Sequence, residues 1–242
     1  MKLVGRTALV TGAGHRLGRT LAVALGREGM RVAVHFNAAS EGADETRELV
    51  EKAGGSGKLF QRDLTEADGP KGLVKAVADE MGGLAVVINS AAVMLRTPMG
   101  EVTVADWDAM FALNLRAPFF IAQAAAKFMP DGGTIVNIAD LAAFESWPAY
   151  VPHAISKAGI VKMTAALARV LAPSIRVNGI APGAVLLPAD WNDEASVRLA
   201  ATTPLGRLGD PQDVVEAMLY LLRADYVTGE TLIVDGGRHI RK

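Results

Sequence analysis

Cysteine is absent from the 242 residues of this chain. That excludes disulfides, a thiolate nucleophile and any cysteine-ligated metal or cluster. An excess of one charge is missing too: 25 Lys and Arg face 26 Asp and Glu, a net charge of -1. No global basic field exists to gather nucleic acid or anionic membrane, so neither is expected as a partner. Long apolar runs are lacking by eye, and the first of them, Ala8–Val10, runs at once into a glycine turn. Neither a membrane span nor a secretory signal is expected, and the expectation is a cytoplasmic protein. The four histidines, His15, His35, His153 and His239, lack metal-ligand spacing, so no metal is expected. No linker or low-complexity stretch divides the chain.

What is present is apolar and periodic. Half the residues are hydrophobic, enough for one large core in a single domain spanning 1–242. Short apolar runs alternate with helical patterns. Strands are predicted at Thr7–Thr11, Arg31–Phe36, Lys58–Arg62, Ala85–Asn89, Thr134–Ile138, Arg176–Ile180 and Thr231–Val234. Helices are predicted at Leu17–Arg27, Ala43–Ala53, Gly72–Met81, Val104–Asn114, Pro118–Met129, Ala154–Leu171 and Pro211–Leu222. Strands apolar throughout are covered on both faces. The expected fold is a doubly wound, Rossmann-type α/β domain with a mostly parallel seven-stranded sheet. The longest stretch without a confident element, Pro182–Pro204, follows the sixth strand, where such folds carry their ligand crevice; it reads as a mobile substrate lid or as an ordinary surface loop with a short helix. Trp107, Trp147 and Trp191 read as core or pocket walls.

The segment Thr11-Gly12-Ala13-Gly14-His15-Arg16-Leu17-Gly18 joins the first strand to the first helix. Glycines let backbone amides approach a pyrophosphate, and the helix start adds free N–H groups and partial positive charge. A dinucleotide is the expected ligand. Sites for the unphosphorylated form usually carry an acid at the end of the second strand. Here that place reads His35-Phe36-Asn37-Ala38-Ala39-Ser40, with no acid, and Arg16 projects from the turn. A guanidinium, an imidazole and a hydroxyl suit a ribose phosphate, so NADP(H) is expected, with Arg16, His35, Asn37 and Ser40 around the 2′-phosphate.

These residues resemble the short-chain dehydrogenase/reductase family over nearly the whole chain. The marks are the Thr11–Gly18 turn, Asp63-Leu64, Asn89-Ser90-Ala91-Ala92, Asn114, Ser156-Lys157, Pro182-Gly183 and Thr228-Gly229 followed by Asp235-Gly236-Gly237. Arg16, His35 and Asp140 look closest to the pteridine reductases. The resemblance implies hydride transfer between nicotinamide and a C=O, C–OH or C=N centre. It places Gly12, Gly14, His15, Leu17 and Gly18 at the pyrophosphate, Asp63 and Leu64 beside adenine, and Asn89 and Ala91 along the ribose. Lys157 would hold the nicotinamide ribose, and Pro182, Gly183 and Val185 the carboxamide. Asn114 would hold a relay water. Leu187 stands where many members have a Thr, and Met94 where pteridine reductases stack an aromatic ring on the pterin. Many members pack their last strand and C-terminus across a two-fold axis, so a homo-oligomer, dimer or tetramer, is expected.

The family's catalytic Tyr, four residues before the Lys and so on the same helix face, is replaced by His153. Asp140 lies where the family has Ser or Asp. Three readings stay open. His153 is the acid/base, supported by Asp140; Tyr150, one turn earlier, takes over; or the chain binds cofactor and is weak or inactive. The expected function is thus NADP(H)-dependent reduction of a C=O or C=N compound, with a pteridine among the candidates. The alternative is a non-catalytic NADP(H)-binding sensor or scaffold.

Overall fold

A computed structural model describes residues 2–187 and 192–240. Seven parallel strands form one sheet in the order β3-β2-β1-β4-β5-β6-β7. They are β1 (Thr7–Val10), β2 (Arg31–Phe36), β3 (Ser56–Gln61), β4 (Val86–Asn89), β5 (Gly133–Ile138), β6 (Ile175–Pro182) and β7 (Thr231–Val234). The helices are α1 (Arg16–Arg27), α2 (Ser40–Lys52), α3 (Gly69–Met81), α4 (Val104–Phe111), α5 (Ala117–Ala125), α6 (Val151–Leu171), α7 (Asp193–Ala201) and α8 (Pro211–Arg223).

Strand side chains alternate between faces, and the core splits accordingly. Ala8, Val10, Val86 and Ile88 point to one side, where Leu21 and Leu25 of α1 and Val214, Met218 and Leu222 of α8 cover them. Leu9, Val87, Ile135 and Val177 point to the other, under Leu73 and Val77 of α3, Ile121 of α5 and Ile160 and Leu167 of α6. Burial on both faces is why these strands read as unbroken apolar runs.

Two expectations about elements need correction. The two helices expected around Asn114 are one winding, Val104–Phe128, joined through a five-residue π turn, Ala112–Arg116, in which Ala117 N–H reaches back to Ala112 C=O. That winding is also long and apolar enough to cross a membrane, with a mean hydropathy of 1.2 over its best window. Its Met110, Ala117, Ile121, Ala122 and Ala125 are buried in the protein, so it serves as a core helix. The Pro182–Pro204 stretch holds the short helix that the surface-loop reading allowed, α7, capped by Asn192, whose side chain accepts from Ala195 N–H at 2.8 Å. Asn followed by Asp-Glu is the signal that sets its start. Part of the expected lid, and Trp191, lie outside the described residues. Trp107 is neither core nor pocket wall: it is 38% exposed and stacks on Phe111 at 4.3 Å.

Candidate active site

Strand order reverses between β1 and β4, and a crevice opens beyond the carboxyl ends of the strands at that point. Its volume of about 480 Å³ is ordinary for a ligand pocket. The glycine turn forms its centre. Thr11 Oγ1 accepts from Ser90 and Ala91 N–H, both at 3.0 Å, tying the turn to the loop after β4. Gly12 sits at φ +66°, and a Cβ there would lie 2.8 Å from Ala91 Cα. A Cβ on Gly18 would lie 2.2 Å from the Gly12 carbonyl oxygen. The helix that follows, α1, has His15 at its N-cap, with no side-chain cap hydrogen bond and no acid in its first turn. Its N-terminal N–H groups therefore lack a partner from their own helix and favour an anion. Gly18→Ala is expected to push this turn open and cost cofactor affinity roughly 100-fold, read by fluorescence titration. An unchanged dissociation constant would show that the tight packing is not needed.

Most of the residues expected to hold cofactor do line the crevice: Gly12, His15, Arg16, Leu17, Gly18, His35, Asn37, Asp63, Leu64, Ala91, Lys157, Pro182, Gly183 and Val185. Gly14, Ser40 and Asn89 do not. Gly14 packs under α2, where a Cβ would lie 3.1 Å from Ala39 O. Ser40 begins α2 and is not in the wall, although Ala39 just before it is. Asn89 is buried and gives its amide to Asn137 Oδ1 at 2.8 Å; Asn137 in turn donates to Thr164 Oγ1 at 3.0 Å. This chain of amides and hydroxyl fastens α6 to the sheet below the site.

Two phosphate-binding expectations change direction. Arg16 does not point to the end of β2. Its Nη2 donates to Leu186 O at 2.9 Å, beyond β6. It does so from φ +51°, the one non-glycine residue at positive φ among those described. His35 is closer, but its charge is not on offer. Nδ1 accepts from Gly12 N–H at 3.1 Å, and Nε2 faces Arg62 O at 2.9 Å. A carbonyl can only accept, so the proton sits on Nε2. Burial holds this imidazole neutral and pulls its pKa down to about 4. His35 pins the turn to β2 and β3.

The chemistry sits at the other end. α6 begins three residues earlier than expected, which puts both His153 and Lys157 inside it on one face. His153 is 2% exposed. Its Nδ1 lies 3.3 Å from Val93 O, so that nitrogen carries the proton. Its Nε2 lies 3.6 Å from Asp140 Oδ2 and has no hydrogen-bond partner among the described residues. Asp140 Oδ1 accepts from Ala142 N–H at 2.8 Å, which fixes the carboxylate after β5. Lys157 Nζ donates to Ile138 O at 2.9 Å. Burial lowers its pKa to about 8, partly offset by Asp140. Asn114 is not in the crevice wall. Its amide clamps the loop after β4, accepting from Val93 N–H and donating to Val93 O, each at 2.8 Å. Tyr150 is not in the wall either; it precedes α6 with its ring edge-on to Trp147 at 6.2 Å.

Sequence reasoning missed two contributors. Val93 supplies the carbonyl that Asn114 and His153 share, and a backbone role leaves no mark in the residue type. Arg62 lines the crevice at its far end. A signal existed: β2 pairs with β3 in a register that sets Phe36 against Gln61, so Arg62 follows beside Asn37.

Comparison with known proteins agrees with this layout. The family model described as enoyl-(acyl carrier protein) reductase matches residues 12–239. The chain is 34% identical to 3β-hydroxysteroid dehydrogenase 1 of Eggerthella lenta, over 97% of this chain and 94% of that protein. It is 32% identical to glucose 1-dehydrogenase 2 of Bacillus subtilis, over 97% and 95%. Among solved structures, the angucycline C-6 ketoreductase LanV with bound NADP superposes with a TM-score of 0.92 at 31% identity, over 99% and 97% of the two chains. A dehydrogenase/reductase from Sinorhizobium meliloti 1021 does so with a TM-score of 0.91 at 33% identity, over 98% and 97%. With this sheet, this glycine turn and these relatives, the chain belongs to the short-chain dehydrogenase/reductase family of oxidoreductases.

Proposed function

We propose that the chain is an NADP(H)-dependent reductase of a carbonyl or imine compound in which His153 is the proton donor. The observation that carries this reading is the buried His153 Nε2, without a hydrogen-bond partner among the described residues, facing the Asp140 carboxylate in the crevice wall. The crevice fits the cofactor. The glycine turn and the uncapped start of α1 suit a pyrophosphate, and Arg16, Arg62 and Lys157 space three cations along the opening. When bound, the nicotinamide supplies the hydride.

The residues of the chain manage the proton. Val93 O holds the Nδ1 proton of His153 and fixes the ring, so only an imidazolium has a proton to give at Nε2. Asp140 stabilises that imidazolium electrostatically. Nε2 then protonates the oxygen or nitrogen that gains charge as the substrate is reduced. Lys157, with only the Ile138 carbonyl as hydrogen-bond acceptor among the described residues, has N–H donors left for the ribose.

The substrate is read as a C=O or C=N compound. Met94, 47% exposed in the crevice wall, offers a polarizable face to a flat ring, which keeps a pteridine as one arm of the assay. A second reading, a sensor that binds cofactor without turnover, draws on the 3.6 Å between His153 and Asp140, longer than a hydrogen bond. The test is NADPH oxidation with aromatic ketones, quinones and dihydropterins. Turnover on any of them supports the reductase; tight NADPH binding with none on all of them supports the sensor.

The proposal extends to self-association. Trp107, Phe119 and Phe120 are exposed on α4 and α5, beside an apolar groove that Leu115, Met163 and Leu167 share. A second copy would cover such a face in an isologous dimer. Light scattering is expected to give a multiple of the 25.4 kDa chain mass, falling to the chain mass in Phe120→Glu. A wild-type monomer would end this idea.

A further inference from the structure

We infer that Arg62, at the end of β3, reads the 2′-phosphate of the cofactor and sets the preference for NADP(H) over NAD(H). The inference rests on the proposed cofactor reading and assigns the discriminating group within it. The adenosine end of the crevice is the end away from Asp140, His153 and Lys157, where the loops after β2 and β3 meet. Of the groups expected there, Arg16 is turned to Leu186 on the opposite side. His35 is a neutral pin with both ring nitrogens committed. Ser40 lies outside the wall. Asn37 lines it but carries no charge.

Arg62 fills the gap. It lies in the wall of the crevice, and its backbone N–H bonds Phe36 O at 3.0 Å, which locks it beside the end of β2. Its guanidinium rests over Gly72, where an added Cβ would come within 3.7 Å of Cζ. Among the described residues it has no ion-pair or side-chain hydrogen-bond partner, so the fork is free for a phosphate, which it can bind by paired N–H bonds. The neighbouring acid does not claim it. Asp63 Oδ1 accepts instead from Thr65 N–H and Oγ1–H, both at 2.7 Å.

The three cations then divide the crevice: Arg62 at the adenosine ribose, Arg16 near the centre, Lys157 at the reacting end. Arg16 is expected to affect both dinucleotides alike, and Arg62 the phosphorylated one alone.

The experiment measures dissociation constants for NADPH, NADH, adenosine 2′,5′-bisphosphate and 5′-AMP by fluorescence quenching or calorimetry. The proteins are wild type, Arg62→Gln, Arg62→Lys and Arg16→Gln. Arg62→Gln is expected to weaken NADPH and the bisphosphate at least about tenfold, leaving NADH and 5′-AMP unchanged. Arg62→Lys should recover part of the loss, since the charge returns without the fork. Arg16→Gln should leave the NADPH-to-NADH ratio as it is. An unchanged ratio in Arg62→Gln, or a ratio lost in Arg16→Gln instead, overturns the assignment while the cofactor reading stands. A wild type that binds NADPH no better than NADH overturns both.

Discussion

His153→Phe is expected to lower turnover of a ketone substrate by roughly 10²–10³-fold, the usual worth of a positioned general acid, with NADPH affinity unchanged. Phenylalanine keeps the ring in its buried slot and removes both nitrogens. Val93 O stays partnered through Asn114, so no buried carbonyl is orphaned. Loss of rate is then loss of the proton donor. A melting temperature and an NADPH dissociation constant that both stay at the wild-type values separate this from a packing defect. His153→Tyr restores the phenol the family uses and is expected to retain turnover. A His153→Phe variant with full turnover would remove His153 from the mechanism. Activity in His153→Tyr alone would make the natural chain a binder.

Lys157→Met is expected to raise stability while abolishing reduction. Lys157 is 4% exposed, with the Ile138 carbonyl as its one hydrogen-bond acceptor among the described residues and the Asp140 charge nearby. Burial pulls its pKa from 10.5 to about 8, equivalent to roughly 3 kcal/mol of cost in the charged form. The direction follows from proton counts. Between the folded value and the unfolded one, the unfolded chain holds more protons. The penalty is therefore complete below about pH 8 and is relieved as pH climbs towards the unfolded value. Methionine fills a similar volume without charge. Thermal unfolding should show Lys157→Met above wild type near neutrality by about 1–3 kcal/mol, with the gap narrowing towards about pH 10. A variant that melts lower at both pH values would mean that the Ile138 bond outweighs the desolvation. The result would identify Lys157 as a residue kept for function against the interest of the fold.

Much of the fold was legible because parallel strands buried on both sides announce themselves. β2 and β7 begin and end where their apolar runs do. The glycine turn was legible for a related reason, since its backbone shape is written in residue type. Helix ends were less so. α6 starts at Val151 because Pro152 fits a first turn that needs no N–H from it, while the periodic pattern shows only later. At the site, residue types were visible and their directions were not. Arg16 reaches a carbonyl 170 positions away, a distance that no local pattern encodes. His35 looked like a ligand because histidine often is one; burial and two backbone partners decide otherwise. Asn89 and Gly14 carried the family's pattern into places that serve the scaffold.

The π turn at Ala112–Arg116 has a consequence for how this helix can be edited. It amounts to one extra residue per turn relative to an α-helix, so α4 and α5 are out of phase by about 100°. Pro118, lacking an N–H, cannot serve the Asn114 carbonyl as a regular helix would. Wound regularly, the same sequence would swing Asn114 off the Val93 loop, and with it the carbonyl that orients His153. Chain length at this point is thus a coordinate of the active site. Replacing this segment with a regular α-helix preserves the site only when the additional residue of the π turn is kept.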